Sequence, residues 1–419
     1  MGTNVVRLKR GEPFVIMRQA GSVLGPYAEV LRVPGALAFS ASGLIARLPM
    51  SMFGIGMVLA VSARSGSYGQ AGVIAGAALL AQAAAAPAQA RLADRLGQRR
   101  MLLPVLGLHA VSLGAFIVLI GHVPLAVLVV ASALAGATLP SFGSMVRARW
   151  AHRLTGTPRL HTAYAFESVL DEVVFVVGPI LATVLATGLH PLSGLVTNLV
   201  LTVGGGLLFA SQRATEPPPR PRRRDISTDL LPVRTLGWIV ATFVFMGAIF
   251  GTVEVVTVAF ADEAGAVEAS GPVLAAYALG SLVAGLVVGA LHLRAGPRRR
   301  FVVGQAVMAA ALLPLPFVGS VPILAVVMFL AGLAISPTLI AGFSLVESEV
   351  PASRLTEGLA WITTALNIGV ALGAAVAGPV VDAAGASPGY VVALTGGLLA
   401  AAACMIGSAV DRTTARESV

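Results

Sequence analysis

Five ionisable side chains fall inside long apolar stretches: Arg47, the trio Glu167, Asp171 and Glu172, and Glu254. A charge in such a setting is costly and needs either a partner or a task. Arg47 falls near the middle of its stretch and is followed by Pro49, which frees a backbone carbonyl and can kink a helix. Glu167, Asp171 and Gly178 are spaced to share one helical face, whereas Glu172 is turned about 100° away, toward the face of Pro179. Two adjacent carboxylates in a low-dielectric setting do not both ionise easily, so Asp171 or Glu172 is suited to carrying a proton. With Arg47 as countercharge, these residues read as a proton-handling site. They read equally as a structural salt bridge that never titrates, and the residue types alone leave both readings open. Glu167 lies close to the end of its stretch, which predicts snorkelling or pairing with a loop arginine. Glu254 shares a small-residue face with Gly247 and Gly251; proton or substrate binding and a water-exposed position near the outer surface are both compatible with it.

Placing such charges requires a membrane. The chain has 419 residues, of which 57% are hydrophobic and 11% charged, and its mean hydropathy is +0.88. Soluble proteins carry about 25% charged residues, so lipid is the expected solvent. Spanning helices need about 20 apolar residues. They are predicted near 35–61, 69–90, 101–120, 124–146, 163–187 and 191–211, then 236–260, 271–292, 301–319, 322–345, 357–381 and 388–410. The expected organisation is a cytoplasmic segment at 1–33, with a surface helix and no removable signal, and a six-helix bundle at 34–211. A basic Pro-rich linker at 212–235, a second bundle at 236–410 and a cytoplasmic tail at 411–419 complete it. The fold class is all-α, membrane-spanning, with two pseudo-symmetric six-helix halves.

Of the 28 Lys and Arg residues, only Arg47 and Arg64 fall outside segments that this map places in the cytoplasm. Such asymmetry predicts a cell (inner) membrane protein with both termini cytoplasmic. The loop holding Asp262, Glu263 and Glu268 is acidic and belongs on the outer side. The net charge of +9 comes almost wholly from arginines scattered between apolar segments, Lys9 being the one lysine. That pattern is a topology signal, and no nucleic-acid partner is expected. Cys404 alone cannot build a disulfide framework. No phosphate-binding loop, zinc-protease motif or catalytic triad is present, so neither an enzyme nor a cofactor or metal is expected. The expected partners are a small-molecule substrate, protons and lipid, and a monomer is expected.

The two halves echo each other. Arg95, Gly97, Arg99 and Arg100 recur half a chain later as Arg294, Gly296, Arg298 and Arg299, and Gly178-Pro179 recurs as Gly378-Pro379. Asp94 breaks the echo, since it meets Leu293. Internal duplication in an apolar chain points to a transporter built from repeats.

Six helices plus six, with a basic loop after the second helix and a weaker copy after the eighth, resemble the major facilitator superfamily. Its loop pattern, Gly-x-x-x-Asp-Arg/Lys-x-Gly followed by basic residues, is matched at Asp94, Arg95, Gly97, Arg99 and Arg100, with Ala90 in place of the first glycine. The resemblance implies that Asp94 acts as a latch, facing the N-terminus of the eleventh helix near Thr356 and Glu357, with Arg294, Gly296 and Arg298 as its weaker copy. It also implies that helices one and seven line a cavity, that five lies at the interface, and that three, six, nine and twelve face lipid. Gly178-Pro179 resembles the core of a motif of the drug/proton antiporter branch, although the motif's preceding glycines fall at Ala165 and Val174. The arginine that this branch carries in its fourth helix has no counterpart within 124–146. Gln82, Thr138, Ser141, Ser336 and Asn367 are the candidates for the cavity wall, and His109 is expected to serve packing. The function implied is secondary active transport by alternating access, as proton-coupled efflux of a small amphipathic or hydrophobic compound. An uptake permease for a small metabolite, or a non-transporting membrane sensor, are the alternatives.

Overall fold

The computed structural model describes residues 25–154, 156–157, 159–219, 233–290, 295–351 and 355–417. The first 24 residues, most of the linker, Leu293, Arg294 and the side chains of Thr356 and Glu357 lie outside the described set. Among the described residues, twelve helices are long and apolar enough to cross a membrane. They are α1 (Ala36–Ser65), α2 (Tyr68–Leu96), α3 (Gln98–Leu119), α4 (Leu125–Leu154), α5 (Thr162–Gly188) and α6 (Ser193–Ser211), followed by α7 (Arg234–Glu263), α8 (Val267–Val288), α9 (Pro297–Phe317), α10 (Val321–Glu349), α11 (Gly358–Ala384) and α12 (Ala386–Asp411). The described residues contain no strand. A short helix, Gly25–Leu31, precedes them and packs on α5 through Tyr27 and Phe166, whose rings are 6.1 Å apart.

One span differs materially from expectation. The fourth, predicted to end at 146 and to hold no ionisable residue, continues to Leu154 and carries Arg147 and Arg149. It breaks at Leu139–Ser141, between helices Leu125–Thr138 and Phe142–Leu154, where Pro140 cannot donate a backbone hydrogen bond. α10 breaks similarly between Val321–Gly332 and Ile335–Glu349. The arginines after 146 read as loop because charges seldom enter spans. They are tolerated here because each finds acceptors inside the protein, as described below.

The helices meet through small residues that let backbones approach, the usual device where lipid removes the hydrophobic drive between helices. On α7, Gly247 and Gly251 lie against the backbone of Leu366 and Val370 in α11. Across the seam between halves, a Cβ added at Gly76 of α2 would sit 2.7 Å from the Ala371 carbonyl oxygen of α11. The molecule has an arginine-bearing end, where Gly97, Arg153, Arg213 and Arg298 lie, and an opposite, far end. Among the described residues, every hydrogen bond joining the two halves lies toward the far end. These are the bonds of Ser67, Tyr68 and Gly69 to Asp382, of Tyr68 to Asp262, and the Thr183–Ser270 contact. At the arginine-bearing end the described residues of the two halves share no hydrogen bond or ion pair.

Candidate functional site

Arg47 points from α1 into the first half, where its side chain is 2% exposed. It pairs with Glu167, which is fully buried, and with Asp171, 2.7 Å away. Its Nε also donates to the Gly43 carbonyl at 3.2 Å. Glu167 receives two further donors on Oε1, from Ser40 Oγ and Trp150 Nε1, each at 2.7 Å. Phe39 stacks edge-on against Trp150, with centroids 4.7 Å apart, and closes this end against water. The second oxygen of Asp171 accepts from Arg147 Nη2 at 2.6 Å. Two guanidinium groups therefore balance two carboxylates. The chain of contacts grades from dry at Glu167 to part-wet at Asp171 and Arg147, whose side chains are 24% and 36% exposed.

This arrangement corrects two expectations. Glu167 neither snorkels nor meets a loop arginine; it is the buried anchor of Arg47, and its two oxygens receive three donors, from Arg47, Ser40 and Trp150. Glu172 is half-buried and does not reach Arg47, because the turn of about 100° between adjacent residues carries it off the shared face. The pair facing Arg47 is thus Glu167 and Asp171.

A second buried cation lies beside this network. Arg149 is fully buried and donates to Gln98 Oε1 at 2.9 Å, Gln212 O at 3.1 Å, Thr215 Oγ1 at 2.9 Å and Phe209 O at 3.1 Å. Its guanidinium also lies over the Phe209 ring, 3.7 Å from the centroid. Arg149 thereby ties α4 to the ends of α3 and α6 and to the turn Arg213–Thr215. Residues 213–216, expected to begin an exposed linker, are docked: Thr215 is buried, and Glu216 accepts the Arg99 backbone N–H at the start of α3 at 2.9 Å. An acid there is favoured by the helix dipole.

In the second half the intramembrane acid is single. Glu254 of α7 is half-buried, its carboxylate lies directly against Gly54 of α1, and it has no hydrogen bond to any described residue. It thus sits at the α1–α7 contact between halves rather than in a surface vestibule.

The candidate latch makes no hydrogen bond or ion pair between the halves among the described residues. Asp94 is exposed and makes no ion pair or hydrogen bond among the described residues; Arg95 and Arg100 are exposed as well. Gly97 adopts φ +94°, a conformation that favours glycine, and joins α2 to α3 in one residue. Gly296 has φ −63° and serves as an ordinary cap before Pro297, so the second loop repeats the residue without the turn. Arg298 pairs with Glu349 at 3.0 Å and Asp411 at 3.4 Å inside its own half; Arg294 lies outside the described residues. Gly178 lies against Ser51 of α1, whose Oγ donates to Val174 O at 2.7 Å, and Gly378 lies against the Tyr68 backbone. Both Gly-Pro copies therefore serve close packing within continuous helices containing Pro179 and Pro379.

Of the cavity candidates, two are engaged elsewhere. Thr138 contacts Ser112 at 2.8 Å and His109 at 3.3 Å, on the face of α4 that meets α3, and Ser336 bonds Ser281 of α8 at 2.8 Å. His109 is fully buried, with Nδ1 at 3.2 Å from Ala135 O, and packs α3 on α4. Gln82, Ser141 and Asn367 are half-buried, and Gln82 and Asn367 have no hydrogen bond among the described residues. Reasoning from sequence missed Ser40, Trp150, Arg147, Arg149 and Gln98. The usable signal was that a buried acid and a buried arginine each demand several donors or acceptors, which only the basic run after 146 could supply.

Twelve spans, a duplicated plan and ion pairs held inside the first half define a polytopic membrane transporter fold. The chain belongs to the Major Facilitator Superfamily, which it matches over residues 39–271 and 255–418. Among solved structures it is similar to the nucleoside transporter NupG (13% identity, TM-score 0.66, covering 89% of this chain and 98% of that one). It is also similar to a bacterial homologue of the iron transporter ferroportin in its inward-facing state (17%, 0.65, 90% and 99%). The human organic anion transporter MFSD10 (TETRAN) is a third (15%, 0.60, 88% and 98%). No curated protein sequence matches it significantly. At these identities the likeness carries the fold and no substrate. The chain is a multi-pass secondary transporter of this superfamily.

Proposed function

We propose that this transporter couples protons to the efflux of a small amphipathic or apolar compound, with its arginine-bearing end in the cytoplasm. On that orientation the hydrogen bonds joining the halves lie on the outer side, and none among the described residues lies on the inner side, which supports an inward-facing state. The observation that carries the coupling is Glu254. An acid at the contact between the two moving halves, with no countercharge among the described residues, can be neutralised by a proton. Its charge then depends on which side it faces. Asp171, held between Arg47 and Arg147 at the part-wet end of the first network, is the second candidate, and Glu172 is a third. An apolar cargo is supported by the engagement of Thr138 and Ser336 in packing, which withdraws two of the polar side chains that α4 and α10 could offer it.

An uptake permease is favoured only by Gln82 and Asn367, whose unengaged amides could hold a polar cargo. The test begins with a thermal-shift screen of chemically diverse ligands, since a binder raises stability by mass action. The ligand found is then followed in proteoliposomes under an imposed pH gradient. Glu254→Gln is expected to abolish gradient-driven accumulation while leaving passive exchange. Accumulation that survives the substitution removes Glu254 from the coupling; movement of the ligand with the proton flux rather than against it establishes uptake.

A further inference from the structure

At the far end, α2 begins with three groups turned toward one side chain of the other half. Ser67 Oγ donates to Asp382 Oδ2 at 2.6 Å, the Tyr68 backbone N–H to Oδ1 at 2.7 Å, and the Gly69 N–H to Oδ2 at 2.8 Å. Asp382 stands near the end of α11, so a carboxylate from one half caps the helix N-terminus of the other. Such caps satisfy backbone donors that the helix itself leaves orphaned, and the helix dipole favours the negative charge. Beside it, the Tyr68 hydroxyl donates to Asp262 of α7 at 2.8 Å. The close approach of Gly72 to Ala374 and of Gly378 to Gly69 brings the backbones near enough for a short side chain to reach.

The seam on the other side of the molecule lacks this clasp. Under the register that matches Gly178-Pro179 to Gly378-Pro379, the position of Asp382 is taken by Ala182. The α5–α8 seam has instead the Thr183–Ser270 contact at 3.4 Å.

We infer that Asp382 is the positioning residue of a far-end gate: its cap on the N-terminus of α2 holds that side shut, and releasing it is the step that admits the opposite-facing state. The inference rests on alternating access alone and is independent of cargo, protons and direction. The same antiparallel pair, α2 and α11, carries Asp94 at its other end, where it is exposed and makes no hydrogen bond or ion pair among the described residues.

The test reads gate opening directly. Thr183 is fully buried at the far-end seam, so in a Cys404→Ala background a Thr183→Cys reporter reacts with a membrane-impermeant maleimide only when the seam parts. Asp382→Asn in the full-length protein in lipid nanodiscs is expected to raise the alkylation rate about fivefold, the value of losing one helix cap. Ser67→Ala, which removes one donor to Asp382 together with the acceptor of the Gln70 N–H and keeps the charge, is expected to raise it by less. It serves as the deciding variant if Asp382→Asn does not fold. Asp382→Glu is expected to restore slow alkylation in part. Rates equal to the parent's overturn the gate whether or not the melting temperature falls, since a purely structural residue can lower stability without changing how often the seam opens.

Discussion

The first half of the molecule buries ion pairs among its spans; those described in the second, between Arg298 and Glu349 and Asp411, gather at its arginine-bearing end. Between α1, α4 and α5, Arg47 and Arg147 face Glu167 and Asp171, and Arg149 is buried among carbonyls, a hydroxyl and an amide. In the second half, Met246 takes the place that the repeat gives to Arg47, Asn367 that of Glu167 and Ala371 that of Asp171. What remains there is Glu254, alone and turned toward the first half. A duplicated scaffold has thus been divided into a half braced by ion pairs and a half packed by glycine against backbone. The braced half can hold its shape while the other moves against it, and the unpaired acid lies where the two meet.

The largest effect should come from breaking the brace. Glu167→Ala leaves Arg47 with half its partners in a dry site, and removing one member of a buried pair costs about 3–5 kcal/mol. Unfolding in detergent should show that loss, and combining Glu167→Ala with Arg47→Met should recover part of it. In the second half, Asn367→Ala, the corresponding truncation, should stay within about 0.5 kcal/mol. Equal losses at the two positions would erase the contrast.

A middle effect separates the two arginine clusters. Lysine cannot reproduce the several directed bonds of a guanidinium, so Arg149→Lys should cost about 2 kcal/mol. Arg298 pairs with Glu349 in a part-exposed setting, where ion pairs contribute roughly 0–1 kcal/mol, so Arg298→Lys should barely register. Melting temperatures measured side by side decide this; a larger loss at Arg298 would reverse the assignment of the brace.

The smallest effect on stability should belong to the residue with the largest effect on transport. Glu254→Gln removes a charge that has no partner to lose among the described residues, so the melting temperature should stay level or rise slightly. A clear drop would reveal a structural role and weaken the case for coupling.

Much of this was legible in the residues. Twelve apolar runs, their repeat and the arginine asymmetry follow from composition along the chain, because lipid imposes a length and a charge rule on every span. The brace was half legible: Arg47 demanded a partner, and Asp171 is one. Glu167 and Arg149 were misread for a common reason. Near a membrane boundary, a charge bound for a buried network and a charge marking a loop look alike, and the residues that distinguish them are distant in the chain. Ser40 lies 127 residues from Glu167, and Thr215 lies 66 from Arg149. Asp382 was illegible for another reason. An acid closing a span is commonplace, and only its contact with the start of α2 gives it a role.

The distance between Arg47 and Glu167, 120 residues of chain, has a consequence for how the protein is made. At a synthesis rate of about 5–20 residues per second, Arg47 is added roughly 6–24 s before Glu167. During that interval its guanidinium lacks both of its final acids, at a cost on the order of 2.5–3.5 kcal/mol if it enters lipid alone. The ribosome must therefore deliver α5 before α1 can settle, and α1 should linger beside the insertion machinery as nascent chains lengthen. Crosslinking of chains arrested before and after residue 188 would show α1 leaving that machinery only in the longer ones.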